Sequence, residues 1–167
     1  HSIEIFQNVG GDGFPFRRVD GAKVGRGVIG THAFAEFQGT LAFVGGGRNE
    51  PPAVYLMMAG GSQPISTAEI DKLLSGYTDE QLAGIVVESR KEKTSERLMI
   101  HLPDQTLVFD GPATQQAKRP IWTVLTTSVV GLGRYLARDL LWAHGRWNVA
   151  DPAGSRVGYL TTDASTH

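Results

Sequence analysis

The feature that most constrains the fold is a pair of short apolar runs separated by a turn that contains proline. Residues 98–102 and 106–109 are rich in large and β-branched side chains, and Pro103 and Asp104 lie between them. Proline presets the backbone of a turn and cannot occupy a central strand, so this pattern predicts a β-hairpin. Because apolar residues stand on both faces of each strand, other parts of the chain must cover the sheet on both sides.

Similar pairs of apolar runs occur elsewhere in the chain. Three pairs are present, at residues 41–44 and 54–57, 98–102 and 107–109, and 140–142 and 147–149. Further runs, at 122–125 and 157–160, come after the second and third pairs. The repetition indicates a unit that consists of several antiparallel strands.

The spacing of these pairs favours one architecture. The second and third pairs begin 42 residues apart, and the first and second begin 57 residues apart because a predicted helix lies between them. A period of about 40 to 50 residues with several strands is typical of propeller blades. The chain is therefore predicted to be mainly β, with about three antiparallel propeller-like blades.

One inserted α-helix is predicted near residues 66–76. Ser66 is a suitable N-cap and Glu69 comes three residues later, which is the pattern of a capping box. Gly76 provides a stop, and one helix face carries the apolar residues Ile70, Leu73, Leu74 and Tyr77. We expect the helix to pack on the sheet as a connector; docking of a partner is the alternative. Thr78 and Gln81 repeat the capping pattern and predict a short turn.

The remaining segments have weaker signals. Residues 10–30 are rich in glycine and predict irregular structure, with a short strand near Val19 at most. Residues 90–97 carry charges of both signs, which is typical of a solvated loop. Residues 139–143 resemble the first members of the earlier pairs and are predicted to form a strand.

Composition excludes several classes of protein. The net charge of −1 gives no bulk electrostatic reason to bind nucleic acid or an anionic membrane. Cysteine is absent, which excludes disulfides and thiolate chemistry, and no apolar run approaches the roughly 20 residues that span a bilayer. The chain starts at His1 and Ser2 rather than at methionine, and strand-like alternation begins at once. We therefore expect residues 1–167 to be a single fragment of a longer protein.

Two glycine-rich motifs suggest phosphate binding but lack the required context. Residues 25–30 match G-x-G-x-x-G, and Glu50 lies at a suitable later distance for a dinucleotide site. That motif needs a strand before it and a helix after it, whereas the aromatic residues after it alternate as in a strand. We expect a glycine-rich turn. Residues 45–47 are three glycines with no Lys-Ser or Lys-Thr pair after them, which predicts a flexible loop.

The sequence indicates no active site. The internal histidines are dispersed and form no ligand pair: His32, His101 and His144. His101 lies inside the central hairpin, where we expect a hydrogen-bonded structural histidine. A Gly-x-Ser-x-Gly nucleophile elbow is absent from the sequence. The sequence thus predicts no catalytic, cofactor-binding or metal-binding residue, no cofactor, and no enzymatic activity.

The alternative function is a propeller domain that binds carbohydrate or cleaves glycosides. Cleavage needs paired carboxylates, but the candidate aspartates lie in predicted turns or at strand ends, where they bond to the backbone. These aspartates are Asp104, Asp110, Asp139 and Asp151. The residues that would stack on sugars are Trp122, Trp142 and Trp147. Each lies in an apolar strand run, so core packing is the better prediction for them.

A series of short motifs resembles one protein family. The motifs are Gly27-x-x-Gly30-Thr31, Ala53-Val54-Tyr55, Pro64-Ile65, Ile100-His101-Leu102-Pro103, Leu107-Val108-Phe109-Asp110, Trp122-x-Val124-Leu125 and Val157-Gly158-x-Leu160. Their order and spacing resemble the packaged-DNA stabilisation proteins of short-tailed bacteriophages that infect Salmonella. These proteins are also called tail accessory factors or head-to-tail hubs.

The resemblance implies a structural virion protein with a β-propeller-like body, encoded by a phage or a prophage. It implies contacts with other tail proteins, namely the portal adaptor ring and the tail needle, and assembly as a hexamer in the virion. Such a hub closes the portal channel and stabilises packaged DNA in the capsid. DNA would pass through it without sequence-specific binding, and no membrane would be involved. The implied location is the phage tail, and the host cytoplasm during assembly.

Overall fold

The computed structural model describes residues 2–93, 95–127 and 133–161, which form strands, three helices and their connections. The described chain divides into two compact units, residues 1–87 and 88–167. The first unit contains β1 (Ile3–Asn8), β2 (Phe16–Val24), β3 (Gly27–Val28), β4 (Phe34–Phe37), β5 (Thr40–Gly46), β6 (Ala53–Met58), β7 (Gly61–Pro64), α1 (Ala68–Leu74) and α2 (Asp79–Ala83). The boundary between the units falls within β8 (Val86–Glu92).

The second unit contains the rest of β8 and the remaining elements. These are β9 (Ser95–His101), β10 (Thr106–Asp110), α3 (Gly111–Ala117), β11 (Trp122–Leu125), β12 (Arg138–Ala143), β13 (Arg146–Ala150) and β14 (Val157–Tyr159). All strand pairs in the described chain are antiparallel. The predicted mainly β, antiparallel fold is confirmed.

The first unit is organised around a five-stranded sheet. Its order is β3-β5-β6-β7, with β4 also paired to β5. Phe43 on β5 lies opposite Tyr55 on β6, and their rings stack with centroids 5.4 Å apart. Ile3 from β1 is one of the partly buried apolar residues that pack against this aromatic pair. Burial of these large side chains supplies the main stabilisation of the sheet.

The predicted helix is present as α1 but begins later than expected. Its N-cap is Thr67 rather than Ser66, because the Ser66 hydroxyl instead accepts a hydrogen bond from the Val54 N–H at 3.1 Å. The predicted Ser66–Glu69 capping box is therefore wrong. A hydrogen bond from the Thr67 hydroxyl lowers the pKa of the Glu69 carboxyl. Ile70 and Leu74 are buried, and α1 packs against β6, as predicted for a connector.

Two further helices add to the single helix that was predicted. The Thr78–Gln81 pattern forms a complete capping box and starts α2. The Gln81 N–H donates to the Thr78 hydroxyl, and the Thr78 N–H donates to the Gln81 side chain. The third helix, α3, was not predicted, although Asp110 and Pro112 are start signals: the Asp110 carboxylate accepts from the Ala113 N–H at 2.9 Å.

The second unit contains the hairpin predicted around Pro103 and Asp104. Residues of β9 and β10 pair in register, with Ile100 opposite Leu107 and His101 opposite Thr106, and the Leu102 N–H donates to the Gln105 carbonyl. Residues 98–102 and 106–109 are buried on alternating sides of the sheet, which confirms that both faces are covered. The helix α3 packs against β9. Strands β11 and β8 complete a four-stranded sheet in the order β11-β10-β9-β8.

The three predicted pairs of runs lie in three different sheets, with β12-β13-β14 as the third. A fourth sheet, the two-stranded β1–β2 pair, was not predicted. Residues 16–24, expected to be mostly irregular, form the nine-residue strand β2 because they pair with β1. The predicted charged loop at 90–97 is mostly strand, since β8 reaches Glu92 and β9 starts at Ser95; Thr94 lies outside the described residues. The predicted strand at 139–143 is confirmed within β12.

Candidate functional site

The two glycine-rich motifs meet in the first unit. Gly27 lies opposite Gly46, and Val28 lies opposite Gly45, in the pairing of β3 with β5. Gly45 and Gly46 are thus strand residues rather than the predicted flexible loop. A Cβ on Gly45 would collide with the Gly27 carbonyl oxygen, so glycine is needed here for the close approach of two backbones.

The segment after the first motif excludes a dinucleotide site. β3 is two residues long, residues 31–32 form a turn, and β4 begins at Phe34, so a turn and a strand follow the motif where a dinucleotide site needs a helix. The expected glycine-rich turn is confirmed only in part, because Gly27 and Val28 are strand residues and the turn follows the motif at residues 31–32. Glu50, the candidate ribose ligand, instead bonds within the protein. It accepts from Arg26 Nε at 2.8 Å and from the Gly47 N–H at 3.1 Å, and the Arg26 guanidinium also lies 4.9 Å from the Tyr55 ring centroid.

Gly45→Ala is expected to lower the free energy of unfolding by about 1 to 3 kcal/mol, because the new methyl group forces β3 away from β5. The matched control is Gly25→Ala in the first motif, where the added Cβ meets nothing within 4 Å. That control should be neutral or slightly stabilising. Urea unfolding monitored by circular dichroism measures both. Equal effects of the two variants would contradict the close-approach explanation.

Glu50 is expected to titrate below the ordinary glutamate pKa of 4.5, because the Arg26 hydrogen bond and then the Gly47 N–H stabilise the carboxylate. Because the pKa of the Glu50 carboxyl is lower in the folded state, its contact with Arg26 is fully formed above the unfolded-state pKa. The contact is lost as the pH falls through the folded-state pKa. Carbon-13 NMR of the carboxyl group measures the midpoint. Arg26→Gln should raise that midpoint, whereas Arg17→Gln at the far end of β2 should not. A midpoint insensitive to Arg26 would refute this account.

A buried polar cluster surrounds His101 in the second unit. The His101 side chain is buried, and its Nδ1 lies 3.3 Å from the Thr106 hydroxyl, within hydrogen-bond distance. Its Nε2 lies 2.9 Å from Glu88 Oε2, an ion pair when the imidazole is protonated, although the two atoms are not hydrogen-bonded in this geometry. The other oxygen of Glu88 accepts from the Leu140 N–H at 2.8 Å. His101 is thus a structural histidine between β8 and β10. His32 and His144 are exposed.

Three of the candidate aspartates, Asp110, Asp139 and Asp151, bond to the backbone or pair with arginine. Asp110 caps α3 and lies 3.4 Å from Arg97, and Asp151 accepts from the Ala153 N–H in a turn. Asp139 lies 3.6 Å from Arg138, and Asp104 is exposed in the hairpin turn. Within the described ranges, three or more His, Cys, Asp or Glu side chains do not gather into a metal-binding group.

The tryptophans divide between core and surface. Trp122 is half-buried, with its ring centroid 5.2 Å from that of Phe109, as core packing predicts. Trp142 is 57% exposed, so the core prediction for this residue is wrong. Its ring contacts Trp147 edge-on at 5.4 Å between centroids. Sequence reasoning missed the exposure of Trp142 because an apolar run does not reveal whether another layer covers it.

Apolar exposure is also marked on the β1–β2 hairpin. Phe6 and Phe16 share one face, since Phe6 lies opposite Arg18 and Asn8 lies opposite Phe16. Both rings are about half exposed, and Phe14, 79% exposed, contacts Phe16 edge-on at 5.8 Å. Exposed aromatic side chains grouped on one hairpin are a candidate surface for contact with other proteins. No helix among the described residues is long and apolar enough to cross a membrane.

These features define the class of protein. It is an antiparallel β protein with large apolar side chains exposed on its surface. Candidate polar side chains such as Glu50 and His101 make their contacts within the fold. The comparison with protein families gives the particular assignment. The chain belongs to the bacteriophage stabilisation family, described as the β-propeller of bacteriophage P22 Gp10, whose model matches residues 1–165. The family recognised from the sequence motifs is therefore confirmed.

One characterised relative extends this comparison. The tail hub protein gp10 of Salmonella phage P22 is 32% identical over 143 residues, which cover 86% of this chain. The matched region is 30% of that protein, so the chain spans less than a third of the length of the curated relative.

Proposed function

We propose that this chain is part of a tail hub that closes the portal channel after packaging, stabilises DNA in the capsid, and bridges to the tail needle. The observation that carries the proposal is the family match along residues 1–165, together with the similarity to a tail hub protein. Residues 1–167 are a single fragment of that propeller-like hub. The partners are the portal adaptor ring, the needle and further copies in a hexamer. The site of action is the virion, after assembly in the host cytoplasm.

The exposed surfaces support a role in assembly rather than in chemistry. A hub works by fitting between other rings, so its binding energy resides in broad surfaces and sheet edges. The Phe6 and Phe16 face is such a surface, and both outer edges of the β1–β2 pair are open within this unit's described sheet order. We propose that the hub has no enzymatic activity, metal or cofactor.

The test is complementation of particles that lack the parent protein. Such particles should lose their DNA after packaging, and the purified parent protein should restore retention. Parent protein carrying Phe6→Ser and Phe16→Ser, once shown to fold, should restore less, whereas Phe34→Ser serves as the matched control because Phe34 is equally exposed on β4. Particles that keep their DNA and build complete tails without the parent protein would overturn the proposal.

A second candidate function is carbohydrate binding, which the exposure of Trp142 favours, because an open indole ring can stack on a sugar. A glycan array and chromogenic glycosides test it. Reproducible turnover that is lost in Asp104→Asn or Asp151→Asn would establish a glycosidase and defeat the structural role. Binding to neutral glycans that is lost in Trp142→Ala would establish a lectin.

A further inference from the structure

A groove of about 710 Å³ lies in the second unit, beside the turns that join β8 to β9 and β12 to β13. The Trp147 indole N–H donates to the Lys91 carbonyl oxygen at 3.3 Å, and this bond ties the two hairpins together. We call this feature the basic groove. The lining residues that matter here are Arg90, Lys91, Lys93, Trp142, Arg146 and Trp147.

The basic groove carries a local excess of positive charge. Four basic side chains line it against one acidic side chain, Glu92, which gives a net charge of +3 in a chain whose total is −1. Glu92 is engaged with Arg90, with 3.5 Å between Glu92 Oε1 and Arg90 Nε. Lys91, near the end of β8, and Lys93, in the turn after it, are both exposed, and the Arg146 guanidinium lies 4.3 Å from the Tyr159 ring centroid. The total charge of the chain, −1, therefore does not reveal the local excess of positive charge at the basic groove.

An exposed aromatic ring lies among these cations. Trp142 presents its indole ring to solvent at the groove, and the edge-on contact with Trp147 orients it. A basic track with an aromatic platform is the combination that binds single-stranded nucleic acid, because phosphates meet the cations and a base stacks on the ring. Such binding does not depend on sequence, since every base has a flat π-face.

Other ligands match the basic groove less well. A neutral sugar would need hydrogen-bond acceptors as well as a ring, but the one carboxylate in the lining, Glu92, is engaged with Arg90. An acidic peptide would satisfy the lysines but offer the Trp142 ring no base to stack on. We propose that the basic groove binds DNA, with phosphates at Lys91, Lys93 and Arg146 and an unpaired base on Trp142. This inference rests on the proposed function and adds a direct DNA contact to it.

The experiment titrates the chain with an oligothymidylate and monitors quenching of tryptophan fluorescence. Lys91→Gln with Lys93→Gln should weaken binding at least tenfold and reduce the slope of log affinity against log salt by about 1.4, or 0.7 for each lost phosphate contact. Trp142→Ala should weaken binding by roughly 5-fold to 150-fold, the loss of one stacked base; for this variant, fluorescence anisotropy of a labelled oligonucleotide replaces quenching. The matched control, Lys72→Gln on α1, should leave the affinity and slope unchanged.

Two comparison ligands make the result decisive. Heparin, a polyanion without bases, should bind with no loss in Trp142→Ala, and a poly-glutamate peptide should bind more weakly than the oligonucleotide. No oligonucleotide binding, or binding insensitive to the lysine pair and to Trp142, would overturn the basic groove as a DNA site. Tighter binding of poly-glutamate would assign it to an acidic protein segment instead. Either failure would leave the proposed hub function standing, because channel closure needs no DNA contact on this chain.

Discussion

Replacing Phe43 with alanine is expected to lower the free energy of unfolding by about 3 to 5 kcal/mol. The Phe43 side chain is fully buried on β5 and stacks on Tyr55, so truncation removes a large apolar area and leaves a cavity in the first unit. The neighbouring strands cannot collapse into that space without breaking the register between Phe43 and Tyr55. Urea unfolding monitored by circular dichroism measures the loss.

The control for this prediction lies directly across the sheet. Phe34 on β4 is the register partner of Phe43, but its side chain is 47% exposed because β4 pairs along one edge only. Phe34→Ala should therefore change the free energy of unfolding by no more than about 1 kcal/mol. Similar losses for the two phenylalanines would mean that residue type, not burial, determines the effect.

His101→Ala is expected to lower the free energy of unfolding by about 2 to 4 kcal/mol. The substitution removes a buried ring and takes away the neighbour of both Glu88 Oε2 and the Thr106 hydroxyl. The buried Thr106 hydroxyl would lose its ring partner and incur a desolvation penalty, and the Glu88 carboxylate would lose the imidazole beside it. The same unfolding measurement applies, with amide exchange of Leu140 reporting whether the Glu88 contact survives.

His32→Ala is the matched control, because His32 is exposed and bonds to Val87 through its backbone carbonyl rather than its ring. Its effect should stay within about 0.5 kcal/mol. A second variant, Glu88→Gln, tests the contact with His101 separately from the contact with Leu140. The glutamine side-chain oxygen can still accept a hydrogen bond from the Leu140 N–H, but the side chain has no negative charge to pair with His101. If His101→Ala proves as mild as His32→Ala, the buried cluster does not stabilise the second unit.

Local sequence patterns determined the secondary structure where one short segment carries the whole signal. The hairpin of β9 and β10 results from two apolar runs and a Pro-Asp turn, and α2 results from the Thr78–Gln81 box. Each pattern acts over a few residues, through turn dihedrals or capping hydrogen bonds, and needs no distant partner. The motifs and their order along the chain also sufficed to recognise the family.

The features that the sequence did not predict depend on contacts between residues that are far apart in the chain. Ser66 does not cap α1, because its hydroxyl accepts a hydrogen bond from the N–H of Val54, twelve residues earlier in the chain. Gly45 became a strand residue because Gly27 came to lie beside it, and Glu50 became an ion-pair partner because Arg26 lies next to it in the folded unit. Trp142 was left at the surface because no other part of the described second unit covers its strand face. Hydrogen bonding and burial depend on which atoms meet in three dimensions, and only the tertiary structure determines that.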